Sequence, residues 1–163
     1  MGLDEERVEI VRLAASVHDI GKNAVPVEIL FRAEPLTGAE MEVVKRHSSI
    51  GQDILRRLES SYLVADIVAQ HHERLDGSGY PCGLKGRDIL PEAQILAAAD
   101  VFDAMTSKRP YRDGLSAEIA LAELRNNAGR LFDPDAVDAC HACVAQAEAR
   151  SKASPVDGGI AAP

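Results

Sequence analysis

Imidazoles and carboxylates recur in four separate stretches of this chain. His71 and His72 are adjacent and lead into a loop that contains Gly77, Gly79 and Pro81. Neutral imidazole is the commonest metal ligand near neutral pH, and glycine and proline give a loop specified turns. The other stretches carry His18-Asp19, His47 and Asp100. Four segments that each offer a ligand type together suggest a multi-metal site.

His18-Asp19 is a weak signal alone, because a His-Asp dipeptide on the surface is an equally ordinary interpretation. Near a helix end, however, both side chains can reach one cleft, where a carboxylate can bridge two metals while the imidazole binds one. Gly21 frees the backbone to turn after the pair, and Lys22 adds a cation one turn beyond His18.

Asp100 stands in an otherwise apolar run, where an unpaired buried charge costs several kcal/mol. A metal cluster would be an adequate partner, and the neighbouring Asp103 is either structural or a support for that cluster. His47, on an amphipathic helix, is equally well explained as a surface or capping histidine. Imidazoles and carboxylates without thiolate suit Fe, Mn or Zn in a bridged cluster, and two such metals can activate a water for in-line displacement at phosphorus.

A cationic turn follows the Asp100 segment. Arg109 and Arg112 flank Pro110-Tyr111 and could hold a phosphodiester through paired N–H donors, although cations at a helix C-terminus would look the same. The pair Cys140 and Cys143, by contrast, has no second cysteine pair to complete a zinc site, and we expect ordinary helix residues there.

Bulk properties predict one soluble domain built from helices. The chain has 163 residues, with 46% apolar and 27% charged residues and no Trp, so its core must rest on aliphatic side chains. It shows no signal peptide and no membrane span, and its three cysteines fit a reducing compartment, so we expect a cytoplasmic location. A net charge of −8 argues against DNA or RNA duplex binding but allows a phosphorylated small molecule.

The periodicity predicts an all-α bundle over residues 1–150 and a disordered tail over 151–163. We expect helices at 4–19, ended by Gly21, at 37–58, opened by a capping box of Thr37 and Glu40, and at 62–72. After a Gly/Pro loop at 73–90, further helices are expected at 91–107, after Ser116 and after Asp133.

In order and spacing these motifs resemble the HD-GYP family, bacterial HD-superfamily phosphodiesterases that hydrolyse cyclic di-GMP. The resemblance covers roughly residues 3–145, and its most specific parts are His71-His72-Glu73-Arg74, Gly79-Tyr80-Pro81 and Arg109-Pro110-Tyr111-Arg112. It implies an HD-domain-like bundle and two divalent metal ions, Fe or Mn first, with Zn, Ni or Mg as alternatives. The implied metal ligands are His18, Asp19, His47, His71, His72 and Asp100, with Asp19 as the bridge.

The resemblance also implies roles in substrate binding and catalysis. Asp19 and Lys22 would be catalytic, while Lys22, Arg109 and Arg112 would contact phosphate or guanine and Tyr80 would lie against the nucleotide. Family domains normally carry an earlier helix that supplies a further histidine, so we expect one metal position to lack a ligand. The loop at 32–35 also departs from the family pattern.

Three functions stay open from the sequence. The first is a phosphodiesterase that converts cyclic di-GMP to linear pGpG and further to GMP. The second is a weakly active or inactive module that acts in signalling by binding a dinucleotide or protein, with an upstream regulatory domain or a second copy as partner. The third, an HD-superfamily phosphohydrolase acting on another nucleotide, is disfavoured by the Tyr80 loop and the Arg109–Arg112 turn.

Overall fold

The computed structural model describes residues 2–58, 62–108 and 113–153. Within these ranges the chain forms helices and no strand, which confirms the predicted all-α fold. The α-helices are α1 (Glu5–Val17), α2 (Val27–Leu30), α3 (Gly38–Lys45), α4 (His47–Arg57), α5 (Tyr62–Gln70), α6 (Pro91–Thr106), α7 (Ala117–Asn126) and α8 (Pro134–Ala153). Short 3-10 turns lie at Ile20–Ala24 and Gly86–Asp88.

Helix starts follow the capping residues that the sequence predicts. The Asp4 carboxylate accepts a hydrogen bond of 2.8 Å from the backbone N–H of Arg7. Thr37 and Glu40 form the expected capping box, and the Ser116 hydroxyl accepts from the backbone N–H of Ile119 at the start of α7. Each cap satisfies a backbone donor that the first helical turn leaves unpaired.

Helix ends differ from the predictions in several places. The expected helix 37–58 is two helices, since the chain breaks at Arg46 and His47 opens α4. Helix α1 ends at Val17, so Gly21 does not end it and lies instead in the 3-10 turn after Asp19. The expected helix 62–72 ends at Gln70, which leaves His71 and His72 in the following turn. Helix α2 was not predicted.

The C-terminal boundary also moves. Helix α8 continues to Ala153 and so includes the first three residues of the predicted tail. The rest of the predicted tail, 154–163, lies outside the described residues. Cys140 and Cys143 lie on α8 as helix residues, without a disulfide.

Two groups of buried side chains hold the helices together. The larger joins α1, α4, α5 and α6 and contains Ala14, Leu55, Val64, Ala65, Ile67, Val68, Ile89, Ala93 and Leu96. The smaller joins α6, α7 and α8 and contains Ala98, Leu124, Phe132, Ala136 and Val137. Helix α6 contributes to both, so its Asp100 is positioned by contacts on two sides.

Helix α1 buries less of its apolar side than its pattern predicts. Ala14 is fully buried, whereas Val8 and Leu13 keep 41% and 50% of their surfaces exposed. A hollow of about 400 Å³ lies between α1, α6 and α8, lined by Leu3, Val8, Val11, Arg12, Ile95 and Ala139. In the part of the chain that the structure covers, no helix is long and apolar enough to span a bilayer.

Candidate metal centre

The candidate ligands lie in one cleft, at the ends of three helices and within a fourth. His18 caps the C-terminal end of α1, and Asp19 follows it. His47 is the first residue of α4, the pair at 71–72 follows α5, and Asp100 lies on α6. The structure thus brings together all six residues that the sequence suggested as metal ligands.

Three of the histidines are oriented by the same local device. In each, ring Nδ1 lies within hydrogen-bonding distance of the backbone carbonyl three residues earlier in the chain. The distances are 2.7 Å from His18 to Ala15, 2.7 Å from His47 to Val44, and 2.6 Å from His71 to Val68. A carbonyl can only accept, so Nδ1 carries the proton and Nε2 keeps a free lone pair. Such a partner is what orients metal-binding histidines and sets their tautomer.

The free nitrogens point at one another. Nε2 of His47 and Nε2 of His71 are 3.5 Å apart, and both side chains are buried. With the proton on Nδ1 in each ring, neither Nε2 can donate to the other. His72 joins them, since the three imidazoles each offer one nitrogen and these atoms lie within 4.8 Å of one another. A bound cation would satisfy these lone pairs together.

Asp19 reaches two of the imidazoles with different oxygens. Its Oδ1 is 3.6 Å from His47 Nε2, and its Oδ2 is 3.5 Å from His18 Nε2 and 2.6 Å from Lys22 Nζ. Oδ1 is buried and makes no hydrogen bond. A buried carboxylate oxygen without a partner is costly, so this atom supports the fit of a cation between Asp19 and His47.

Asp100 closes the opposite side of the cluster. Its Oδ1 lies 3.6 Å from His18 Nε2, and its Oδ2 lies 3.9 Å from His72 Nδ1. Burial disfavours the charged form of Asp100, but the contact with His18 and the neighbouring imidazoles outweigh burial and hold its pKa below the usual range. Asp100 therefore carries an ionised carboxylate at neutral pH, which is the form that could bind a metal.

The buried imidazoles are neutral. Burial lowers the pKa of His71 to about 4 and lowers the pKa values of His47 and His72 as well. His18 behaves in the opposite way, because its contact with Asp100 raises its pKa. Since only the neutral ring binds a metal, at least three of the four histidines are in the ligand form at pH 7.

The donor set fits a divalent transition metal. It combines imidazole nitrogens with carboxylate oxygens. Cys82, Cys140 and Cys143, which all lie in the described part of the chain, do not belong to the cluster. This composition suits Fe, Mn or Zn rather than the all-oxygen sites that Ca²⁺ takes.

Tyr80 lies beside the cluster and lines one side of the cleft. Its ring centroid is 4.7 Å from that of His72, and the two rings are tilted by 32°. Burial raises the pKa of Tyr80, so its hydroxyl stays protonated. The Lys45 ammonium lies over the Tyr80 ring, 5.7 Å from its centroid.

Two hollows adjoin the cleft. One, of about 410 Å³, begins at Lys22 and continues along residues 29–36 to Val44. The other, of about 250 Å³, is lined by Glu42, Lys45, Arg46, Ser49, Tyr80 and Pro81. The remaining predicted substrate contacts, Arg109 and Arg112, lie outside the described residues.

Two residues of the site carried no predicted role. The Glu73 carboxylate is buried and binds the backbone of the Tyr80 loop. Arg74 donates to the carbonyl oxygens of His71 and Glu73 and lies over the Phe132 ring, so it holds the end of α5. Their place directly after the histidine pair is the one sequence signal that could have pointed to them.

Several characterised proteins are similar in sequence to this chain. The cyclic di-GMP phosphodiesterase response regulator RpfG of Xanthomonas campestris is 49% identical over 141 residues, which cover 85% of this chain and 37% of that protein. A cyclic di-GMP phosphodiesterase of Thermotoga maritima is 45% identical, with 85% and 38% covered. A 3'3'-cGAMP-specific phosphodiesterase of Vibrio cholerae is 39% identical, with 84% and 27% covered. The chain thus spans less than two fifths of the length of these relatives.

Solved structures match the fold. Bd1817, an HDG"Y"P protein from Bdellovibrio bacteriovorus, superposes with a TM-score of 0.68 at 20% identity, covering 83% of this chain and 43% of that chain. V-cGAP3, a cyclic GMP-AMP phosphodiesterase of V. cholerae, gives 0.66 at 19% identity, covering 96% and 42%. The model of the HD domain family matches residues 1–136. The chain therefore belongs to the HD domain family, which confirms the family predicted from its motifs.

Proposed function

We propose that this chain is a metal-dependent phosphodiesterase that hydrolyses cyclic di-GMP to linear pGpG. The observation that carries the proposal is the convergence of unprotonated imidazole nitrogens and two carboxylates beside a cationic, aromatic-walled cleft. The relatives named above are cyclic di-GMP or cyclic GMP-AMP phosphodiesterases, which favours a catalytic role over a purely binding one.

The proposed ligands are the six clustered residues, with Asp19 shared between two ions because its two oxygens face different imidazoles. When bound, Fe or Mn ions would stabilise charge on phosphate oxygens and activate a water. The histidine rings are oriented for this in advance, since their Nδ1–H groups are bound to backbone carbonyls.

Lys22 has two roles in the proposal. Its ammonium donates to Asp19 Oδ2 at 2.6 Å and so partly neutralises the carboxylate. An ammonium has three N–H donors, so others remain for a phosphate oxygen that enters the cleft. Because Lys22 also lines the larger hollow, it can contact substrate without leaving Asp19.

The shape of the cleft supports a dinucleotide. A cyclic dinucleotide places two nucleosides on either side of one phosphate ring, and hollows adjoin the cluster on the Lys22 side and on the Tyr80 side. Tyr80 offers an aromatic face for one base, and base–aromatic stacking contributes about 1–3 kcal/mol.

A second candidate substrate is 3'3'-cGAMP, because V. cholerae relatives between 38% and 40% identical to this chain are specific for it. It differs from cyclic di-GMP in one base, so the same cleft is offered to both. A phosphate contact from Lys22 and base stacking on Tyr80 would serve either dinucleotide. We therefore expect relative turnover, rather than these two contacts, to distinguish the substrates.

The test is turnover by the purified chain after chelation and reloading with a single metal. Protein loaded with Mn²⁺ or Fe²⁺ should convert cyclic di-GMP to pGpG, as followed by chromatography, and chelated protein should not. Parallel reactions with 3'3'-cGAMP rank the two substrates. Protein that binds metal but hydrolyses neither dinucleotide with Mn²⁺, Fe²⁺, Zn²⁺, Ni²⁺ or Mg²⁺ would establish the binding-module alternative.

Arg109 and Arg112 are proposed to hold the phosphodiester. Replacing either with alanine should raise KM about ten- to a hundredfold, the effect of losing a charge-assisted hydrogen bond, and leave metal content unchanged. Arg87→Ala, in the 3-10 turn beyond the loop, is the matched control. Loss of metal from the Arg109 or Arg112 variants would contradict this role.

A further inference from the structure

Glu73 is a buried carboxylate that the proposed chemistry does not use. It follows His72 directly, and only 2% of its surface is exposed. Burying a carboxylate is unfavourable unless hydrogen bonds replace its hydration. The groups that donate these hydrogen bonds therefore indicate the structural role of Glu73.

All three hydrogen bonds of the Glu73 carboxylate come from one short segment. Oε1 accepts from the backbone N–H groups of Cys82 at 2.7 Å and Gly83 at 3.1 Å, and Oε2 accepts from that of Leu84 at 3.0 Å. Three successive backbone amides are thus gathered by one side chain, which fixes the path of residues 82–84 relative to the end of α5.

The other end of the same loop is held just as closely. The backbone N–H of Tyr80 donates to the carbonyl of His72 at 3.2 Å. At Gly79 the loop touches the same backbone, since a Cβ there would lie 2.4 Å from Cα of Glu73 and 2.5 Å from the His72 oxygen. Tyr80 is therefore pinned between two attachments, one before it and one after it.

We propose that Glu73 is a positioning residue that clasps residues 82–84 to the end of α5 and thereby holds the Tyr80 ring beside His72, where it sets substrate affinity. The inference rests on the proposed function for its substrate, but the clasp itself is independent of substrate and metal. Because the Glu73 carboxylate is bound to the loop backbone, it acts through Tyr80 and not on the reacting atoms.

The first measurement is amide hydrogen exchange, which tests the clasp without requiring enzymatic activity. In Glu73→Gln, the single amide oxygen can still accept hydrogen bonds in place of one carboxylate oxygen. The NH₂ group takes the place of the other oxygen and faces a backbone N–H, so two donors meet and that hydrogen bond is lost. Amide hydrogens of residues 82–84 should then exchange about tenfold faster than in the wild type, the factor expected from one lost hydrogen bond to a charged group. Glu73→Ala should exceed this factor, since it removes all three acceptors.

The matched control is Glu92→Gln. Glu92 is equally buried, at 1% exposed, but it pairs with Arg7 at the start of α6, more than two turns before Asp100. Its replacement is expected to lower global stability while leaving exchange at 82–84 unchanged relative to the rest of the chain. A local increase that appears in Glu92→Gln as well would show general loosening and overturn the clasp.

The second measurement is steady-state kinetics of metal-loaded protein with cyclic di-GMP, which tests whether Glu73 positions the Tyr80 ring. Glu73→Gln should raise KM about tenfold, with kcat changed less and metal content equal to the wild type. In a Tyr80→Ala background the same substitution should add nothing further, because the ring that it positions is gone. An undiminished KM effect in that background, or a loss of metal in Glu73→Gln, would overturn the proposal.

The two arms separate this proposal from the function on which it rests. If the wild type fails to hydrolyse either cyclic dinucleotide, the proposed function fails, while exchange at 82–84 still decides whether Glu73 forms the clasp. If the wild type is active and Glu73→Gln shows faster exchange with an unchanged KM, the proposed function stands and positioning by Glu73 is wrong.

Discussion

At the level of single residues, local hydrogen bonds decide which ring nitrogen of each histidine carries the proton. His18, His47 and His71 each bind a carbonyl three residues back through Nδ1, and each therefore offers Nε2 to the cleft. Asp19 contributes a buried oxygen with no hydrogen bond. These imidazole nitrogens and this carboxylate oxygen lie close together and lack hydrogen-bond donors. Such a cluster of unpaired acceptor atoms indicates a metal site better than the presence of histidines alone.

Asp19 should be required for both metal binding and turnover. Asp19→Ala is expected to abolish hydrolysis and to lower metal content measured by mass spectrometry, because one carboxylate would serve two ions. Asp19→Asn should also fail, since a neutral amide cannot balance two divalent charges. Asp53→Asn, on the exposed side of α4, is the matched control, and substantial turnover in Asp19→Ala would contradict the bridging role.

Acid should destabilise the metal-free chain through its buried histidines. The folded-state pKa of His71 is about 4 because of burial, whereas an unfolded histidine titrates near 6.5. Between these values the unfolded chain binds more protons, so lowering the pH through this window favours unfolding. The loss from His71 alone is on the order of 3 kcal/mol and is complete near pH 4.

Thermal melting of the chelated protein between pH 7.5 and pH 4 measures this effect. His71→Gln should flatten the profile in that window, and His141→Gln on α8 should leave it like the wild type. A wild-type melting temperature that stays constant from pH 6.5 to pH 4 would contradict neutral burial of the ring.

At the scale of elements, a close contact between the 3-10 turn and α4 places Asp19 against His47. A Cβ added to Gly21 would lie 2.0 Å from the His47 carbonyl oxygen and 2.7 Å from the backbone nitrogen of Gly51. Backbone atoms cannot yield as side chains do, so glycine is required by this approach rather than by its φ angle. The same turn carries Lys22, which this contact therefore also positions.

Gly21→Ala should push the turn away from α4. Overpacking of this kind costs about 1–3 kcal/mol, which corresponds to a fall of roughly 3–10 °C in melting temperature, and metal affinity should fall with it. Gly38→Ala is the matched control, because no atom lies within 4 Å of a Cβ there. Equal melting temperatures for the two variants would show that the turn is not held by this contact.

At the scale of the whole molecule, the candidate ligands join parts of the chain that are far apart in sequence. They lie just after α1, on α4, on α6 and in the turn after α5. The two buried side-chain groups meet at α6. A metal bound by residues from all these elements would bind the folded chain more tightly than the unfolded one, and so would stabilise the whole bundle.

Metal removal should therefore lower global stability. Saturation a hundredfold above the dissociation constant adds about 2.7 kcal/mol, or roughly 5–10 °C in melting temperature for a domain of this size. Scanning calorimetry with Mn²⁺ and with a chelator measures the difference, which Asp19→Asn should largely abolish. Equal melting temperatures with and without metal would contradict a shared site across these helices.

Local sequence patterns were enough to predict the helical class, the capped helix starts and the candidate ligands. Caps such as Asp4, Thr37 and Ser116 act on backbone donors within the next turn, so they can be predicted from a few consecutive residues. The ligand types are likewise properties of single side chains. Helix ends were predicted less well, as at Arg46, because they depend on what packs against the last turn.

The way in which these residues act together depends on contacts that form only in the folded chain. The 3.5 Å approach of His47 and His71, the unsatisfied oxygen of Asp19 and the clasp made by Glu73 all depend on contacts between separate elements or across a loop. Burial, which keeps His47, His71 and His72 neutral, likewise arises from side chains distant in sequence. Local patterns carry no information on such contacts, since solvent exposure and relative orientation exist only once the helices have packed.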